Sequence, residues 1–203
     1  WGPISPWLPA GQSAPQIESV RVGFRNLVEA GRWNPIRVRV SGEIKTPVAV
    51  RIVAADVEGR SVRHAGPPIT LSATPQDISL VYQHGPLKSP VIVELVADGQ
   101  VLASQRMRET VEDSVLTTVR QNTDLVLCLG ERQVGFEEAA RLAGDPAALK
   151  SGHVDPLIVQ HYTPEQFNEL PGDVRAWDSV DVVVISARCE IPPELGSVLN
   201  QWV

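Results

Sequence analysis

A cysteine and a histidine in the second half of the chain are the residues best suited to covalent chemistry. Cys189 follows one apolar run and His161 follows another, so a thiol and an imidazole base could meet at one end of a sheet. A nucleophile elbow needs small neighbours and a helix that starts at once. Here Arg188 and Glu190 flank the thiol and two prolines follow. The sequence therefore favours a structural thiol and predicts no catalytic residue.

Four polar side chains are candidates for binding a ligand without catalysis. Arg132 comes after the first apolar run of the second half, and His161 comes after the second. Ser186 and Arg188 come after the third run. Ligands of open parallel sheets bind beyond the carboxyl ends of the strands. If the three runs form such a sheet, we expect these side chains to converge on one edge.

Other site chemistry is not indicated. Gly130 begins neither a Gly-x-Gly-x-x-Gly nor a P-loop pattern, and Glu131 next to it would repel phosphate. Asp124, Asp178 and Asp181 precede their strands, so they are expected at the opposite edge as helix or turn caps. The cysteines and histidines lack metal-ligand spacing. The sequence predicts no cofactor and no metal.

The elements of the first half follow a period of two. About seven short runs alternate apolar with polar residues, which is typical of strands with one buried face. Turn-like dipeptides separate them, and Asp98-Gly99 predicts a hairpin between its flanking runs. These features predict an immunoglobulin-like β-sandwich over residues 16–110, after a proline-rich leader or linker over 1–15. The predicted strands are 17–24, 36–41, 48–54, 69–71, 78–82, 91–96 and 101–107.

Aromatic and imidazole side chains of this half are interpreted as structural. His64 and His84, like His153 further on, stand in turn-like sequence and are predicted to lie on loop surfaces. Trp33 is predicted to pack over the edge of the sandwich rather than to stack on a ligand.

The second half, residues 111–203, has a different pattern. Continuous apolar strands at 124–129 and 181–186 and a short strand at 157–160 alternate with helical segments at 135–143, 163–169 and 191–203. Strands buried on both faces and separated by helices predict a parallel sheet, here the first part of a three-layer α/β domain. We expect the remaining strands after Val203 in the full protein.

Charge also divides the chain near residue 110. Residues 1–110 carry 12 basic and 9 acidic side chains, a net +3, whereas 111–203 carry 6 and 15, a net −9. A nucleic-acid groove needs clustered Lys and Arg, so the acidic half disfavours a nucleic-acid partner.

Two stretches resemble a known family. Residues 31–38, Gly-Arg-Trp-Asn-Pro-Ile-Arg-Val, resemble its strand entry, and residues 170–184, from Leu-Pro-Gly-Asp through Trp-Asp to Asp-Val-Val-Val, resemble its approach to a later strand. The family consists of large bacterial envelope proteins with an N-terminal β-sandwich, a class I glutamine amidotransferase-like (flavodoxin-like) domain and often membrane helices. The resemblance implies an extracytoplasmic, membrane-associated protein. It does not imply amidotransferase activity, because no glycine-flanked elbow cysteine is present and any catalytic His and Glu would lie beyond Val203.

These observations lead to one main functional hypothesis and two alternatives. The main hypothesis is a non-catalytic binding or scaffolding segment whose partner is another protein or the rest of its own chain, reaching the membrane only through segments outside these 203 residues. The first alternative is the regulatory or accessory half of an amidotransferase-like enzyme with its catalytic residues beyond Val203. The second is a carbohydrate-binding sandwich, which would require rows of exposed aromatic residues, whereas Phe, Trp and Tyr make up only 5% of the chain.

Overall fold

The computed structural model describes residues 13–108, 116–119, 122–131 and 157–203. Strands dominate these ranges and are arranged in several sheets. The strands of the first half are β1 (Gln16–Val22), β2 (Leu27–Glu29), β3 (Trp33–Ser41), β4 (Ala49–Ala55), β5 (Ser61–Ala65), β6 (Gln76–Gln83), β7 (Val91–Ala97) and β8 (Gln100–Met107). The second half contributes β9 (Thr117–Val119), β10 (Asp124–Leu129), β11 (Leu157–Tyr162), a first 3₁₀ helix (Pro164–Glu169), a second 3₁₀ helix (Val174–Trp177), β12 (Val182–Ile185) and the helix α1 (Pro193–Trp202).

Two antiparallel sheets of the first half share one core. One sheet has the strand order β1–β3–β6 and the other β5–β4–β7–β8. Because successive side chains of a strand point to opposite faces, alternate residues of β3, β4 and β7 are buried while their neighbours are partly exposed. Burial of this apolar surface is the main force that holds the two sheets together. The core includes Val22, Ile36, Val38, Val40, Val50, Ile52, Val91, Val93 and Leu95.

The predicted hairpin is confirmed, and a second one joins β4 and β5. β7 and β8 pair antiparallel around Asp98 and Gly99, whose φ angles of 48° and 78° lie in the left-handed region that a tight hairpin turn requires. The turn between β4 and β5 contains Gly59, with φ 83°. There the Asp56 carboxylate accepts the backbone N–H groups of Glu58 and Arg60.

Some strand predictions for the first half are wrong. The expected strand at 69–71 is only an isolated bridge between Ile69 and Val48, and the strand paired with β4 on that side is β5. β5 lies at the edge of its sheet and alternates exposed with half-buried residues, so its sequence, Ser-Val-Arg-His-Ala, has little apolar signal. The three-residue strands β2 and β9 were not predicted, and they pair with each other in parallel.

The second half contains the predicted parallel pairing. β10 lies between β11 and β12 and is parallel to both. Its residues Leu125 to Leu129 are all buried, as expected for a central strand. The predicted helix at 135–143 lies outside the described residues. The segment predicted as a helix at 163–169 is the first 3₁₀ helix, and the predicted C-terminal helix is confirmed as α1, which has prolines in its first turn.

A second apolar core contains residues of both halves. Phe24 and Leu27, from the first half, belong to it together with Trp177 and with the buried faces of β10 and α1. Its buried members are Phe24, Leu27, Leu125, Leu127, Leu129, Tyr162, Phe167, Leu170, Ala176, Trp177, Val180, Leu195, Val198 and Leu199.

Candidate functional site

At the carboxyl edge of the parallel sheet, the predicted ligand-binding residue Ser186 lies beside Cys189 and Gly130. Ser186 follows β12 and is buried, and its backbone N–H donates to the Leu129 carbonyl. Cys189 packs beside it against Gly130, where an added Cβ would lie 2.7 Å from the Cys189 Cβ and 3.1 Å from the Ser186 Cβ. Gly130 also has φ 99°, which favours glycine. Backbone and small side chains therefore fill this part of the edge.

The other three predicted ligand-binding residues have different outcomes. β11 continues to Tyr162, so His161 lies within the strand, opposite Cys128, and not beyond its end as predicted. Arg188 is exposed in the turn that follows β12. Arg132 lies outside the described residues.

Cys189 has a poor environment for a nucleophile. Burial and the nearby Glu190 carboxylate both raise the pKa of its thiol above the ordinary value, which disfavours the reactive thiolate. Cys128 is buried in the centre of β10 and does not bond to Cys189. These positions are consistent with structural thiols.

Asp178 and Asp181 lie before β12, as the sequence predicts, and both make backbone contacts. The Asp181 carboxylate accepts the Leu125 N–H at 2.8 Å at the start of β10. Asp178 ends the second 3₁₀ helix and also reaches the first half, where it accepts the Trp33 N–H at 3.1 Å and lies 3.5 Å from the Arg32 guanidinium. Asp178 thus links the halves.

Aromatic rings form the centre of the junction between the halves. Phe24 contacts Trp177 edge to face, with ring centroids 5.7 Å apart. Trp177 is fully buried, and its indole N–H donates to the Pro171 carbonyl at 3.0 Å. Trp33 does not simply cover the sandwich edge, because its ring lies between His64 and the Arg175 guanidinium of the second half.

Arginines on the outer face of the first sheet surround this centre. Arg21 forms an ion pair with Glu169 at 3.1 Å. Arg25 donates to the Gln166 amide oxygen at 2.6 Å and lies over the Tyr162 ring. Arg37 donates to the Asn168 carbonyl at 2.7 Å. All three contacts are made to the first 3₁₀ helix and the end of β11, which places these elements against β1 and β3.

A cleft of about 360 Å³ lies between the halves at these arginines. Its volume falls in the range of small-molecule sites. Three arginines, an apolar wall and the loop after the first 3₁₀ helix enclose it. Its lining includes Arg21, Arg25, Arg37, Pro35, Leu80, Val81, Tyr162, Glu169 and Pro171.

Two ionisable groups of the first half, Glu29 and His84, are buried. Glu29 is 3% exposed, and burial raises its pKa to about 7 even though Arg32 lies 3.6 Å away. The negative charges of Asp181 and Asp178 also raise the pKa of Glu29. His84 was predicted on a loop surface but is fully buried, with its ring nitrogens 3.1 Å from the Tyr82 hydroxyl and 3.4 Å from the Thr118 hydroxyl.

No family model and no curated protein matches this chain. Within the described ranges, His, Cys, Asp and Glu side chains do not form a group of three or more that could hold a metal ion. Across the same part of the chain, no helix is both long enough and apolar enough to cross a membrane.

Sequence reasoning missed the residues that form the junction. Arg21 and Arg37 alternate with buried valines on β1 and β3, so their outward direction was readable from the period of two. Which face would meet the second half was not readable, because this depends on tertiary packing. The arrangement joins the two halves and presents three arginines to a cleft.

Proposed function

We propose that this chain is a non-catalytic binding and scaffolding segment of a membrane-associated bacterial envelope protein. In this proposal residues 16–110 form an immunoglobulin-like sandwich, and residues 111–203 form the first part of a flavodoxin-like three-layer α/β domain. The observation that carries the proposal is the junction, where Phe24 and Trp177 share a core and three arginines contact the first 3₁₀ helix. Such a junction would fix the orientation of the α/β unit relative to the sandwich.

The contacts of the aromatic residues argue against the carbohydrate-binding alternative, and those of Cys189 argue against a nucleophile at that position. The amidotransferase-like alternative, whose catalytic residues would lie beyond Val203, is left to the activity assay below. The raised pKa of Cys189 and its packing against Gly130 do not suit a nucleophile. In the described ranges every Phe, Trp and Tyr is buried or half-buried, so these ranges offer no exposed aromatic row for a sugar. A scaffolding role needs neither feature.

Cell fractionation and partner capture test this proposal. We expect the full-length protein, tagged in its own bacterium, to fractionate with the envelope, and this segment to be cleaved by protease added outside the cytoplasmic membrane. We also expect cross-linking in intact cells to join it to an envelope protein or to another part of its own chain. Recovery of the protein in the cytoplasm, or no cross-linked product, would contradict the proposal.

An activity assay separates the proposal from the enzyme alternative. The full-length protein should release no ammonia from glutamine, and Cys189→Ser should change nothing in that assay. Glutamine hydrolysis by the full-length protein that Cys189→Ser leaves unchanged would instead establish the alternative, in which the catalytic residues lie beyond Val203.

A further inference from the structure

Two guanidinium groups of the cleft have no carboxylate partner among the described residues. Arg21 pairs with Glu169, and the Asp173 carboxylate accepts two hydrogen bonds from the guanidinium of Arg175, which does not line the cleft. Arg25 and Arg37 bind neutral oxygens, those of the Gln166 amide and the Asn168 carbonyl. No carboxylate of the described residues lies within ion-pair distance of either guanidinium.

The register of the sheet places like charges side by side. Arg21 on β1 lies directly opposite Arg37 on β3. Like charges opposite each other in a sheet are unfavourable, and a single carboxylate, that of Glu169, offsets only one of them. An oxyanion between these side chains would remove the repulsion. Guanidinium groups bind carboxylate and phosphate through two parallel hydrogen bonds, so the residue type suits such an anion.

The remainder of the cleft is apolar on one side. Pro35, Val81 and Pro171 line it next to the arginines. A smaller and mainly polar cavity of about 240 Å³ adjoins it, with Arg21, Arg37 and Glu169 in both linings. In this second cavity Arg39 is held by Glu18 and Asp77. Arg21 and Arg37 therefore lie between the partly apolar cleft and the polar cavity.

We propose that this cleft binds a small organic anion, with its carboxylate or phosphate group at Arg21 and Arg37 and its apolar body against Pro35 and Val81. The proposal goes beyond scaffolding and does not depend on the envelope location or on the family resemblance. An anion bound in this cleft would contact both halves of the chain and so stabilise their junction.

Ser79 allows a test in which no arginine is replaced. Ser79 is exposed, lines the cleft and is the cross-strand partner of Arg37 on β6. Ser79→Glu adds a carboxylate that competes for Arg37, whereas Ser79→Gln adds nearly the same volume without charge. Thermal unfolding of both variants checks that the fold is retained.

Phenyl phosphate, benzoate, inorganic phosphate and benzyl alcohol serve as probes, titrated while amide resonances are recorded by NMR. Phenyl phosphate or benzoate should bind saturably and shift the amides of Gly23, Asn26 and Gly172, which line the cleft, but not those of Gly59 and Gly99 in distant turns. Ser79→Glu should weaken that binding at least about tenfold and Ser79→Gln less than about threefold, a difference of more than about 0.7 kcal/mol at 1.4 kcal/mol per factor of ten.

The comparison among probes decides which part of the proposal holds. Of phenyl phosphate and benzoate, the tighter binder identifies the anionic group. Inorganic phosphate that binds as tightly as either would overturn the role of the apolar wall, and benzyl alcohol that does so would overturn the role of the arginines. No saturable shift with any probe, or equal binding by the Ser79→Glu and Ser79→Gln variants, would overturn the site itself.

Discussion

Glu29 is a buried carboxylic acid whose pKa departs from its value in water. It lies in β2 with 3% of its surface exposed, and its backbone is fixed by two hydrogen bonds to the Asn34 amide. The charged groups that act on its carboxyl are Arg32, Asp178 and Asp181. Burial outweighs the attraction of Arg32, so the pKa rises to about 7.

This pKa predicts how stability depends on pH. The folded state holds the Glu29 proton more tightly than the unfolded state does. This difference stabilises the fold fully below the unfolded pKa of 4.5, and the stabilisation is lost as the pH rises to about 7. Glu29→Gln removes the titration. We expect the free energy of unfolding to fall between pH 4.5 and pH 8 by about 1–3 kcal/mol more in the unmodified chain than in Glu29→Gln, at about 1.4 kcal/mol per pKa unit.

Urea unfolding at several pH values measures this difference. Glu43→Gln is the matched control, because Glu43 is exposed and its side chain makes no hydrogen bond or ion pair to a described residue, so it should behave as the unmodified chain does. An identical pH dependence for the unmodified chain and Glu29→Gln would show that the Glu29 carboxyl titrates as in water.

At the scale of elements, two glycines predict opposite effects of the same substitution. Gly99 has φ 78° in the β7–β8 turn, and an added Cβ there would meet nothing within 4 Å, so the cost of Gly99→Ala comes only from the backbone. We expect a loss of about 1 kcal/mol in the free energy of unfolding. Gly196 lies within α1, where a Cβ would make an ordinary 3.9 Å contact with Ile191. Gly196→Ala should therefore stabilise by about 0.5–1 kcal/mol.

Thermal or urea unfolding of the two variants checks these signs. A loss of stability in Gly196→Ala would contradict the geometry of α1, and an unchanged stability in Gly99→Ala would contradict the turn between β7 and β8.

These elements also show what the sequence could and could not predict. Asp98-Gly99 and the alternation around Val38 identified a hairpin and a buried face, because turn conformation and side-chain period are local properties. β2 and β5 were missed because a three-residue strand and a polar edge strand carry almost no periodic signal. His84 looked like a loop residue, since its partners Tyr82 and Thr118 meet only after β2 pairs with β9.

The candidate site was predictable only in part. Ser186 and Cys189 were expected at the carboxyl edge of the parallel sheet, and both lie there beside Gly130. The cleft was not expected, because its walls come from residues more than 100 positions apart in the chain, such as Arg21 and Glu169. Contacts of that separation depend on how two sheets pack, which a single sequence does not state.

At the scale of the whole molecule, damage to the shared core should speed hydrogen exchange of backbone amides in both halves. Phe24 follows β1, yet it packs against Trp177 and belongs to the core formed with β10 and α1. Replacement of a buried aromatic residue by alanine typically costs about 3–5 kcal/mol. Phe24→Ala should therefore weaken both halves, although the substituted residue lies in only one of them.

Hydrogen exchange of backbone amides in Phe24→Ala tests this coupling most directly. Val57→Ala serves as the control, because Val57 is 54% exposed in the turn after β4 and should leave exchange unchanged. If the junction holds the halves as we describe, the amides of β3 and those of β10 will both exchange faster in Phe24→Ala. If β10 and α1 keep their full protection while only the sheets of the first half lose theirs, the halves are not joined through Phe24 and Trp177, and the account is wrong.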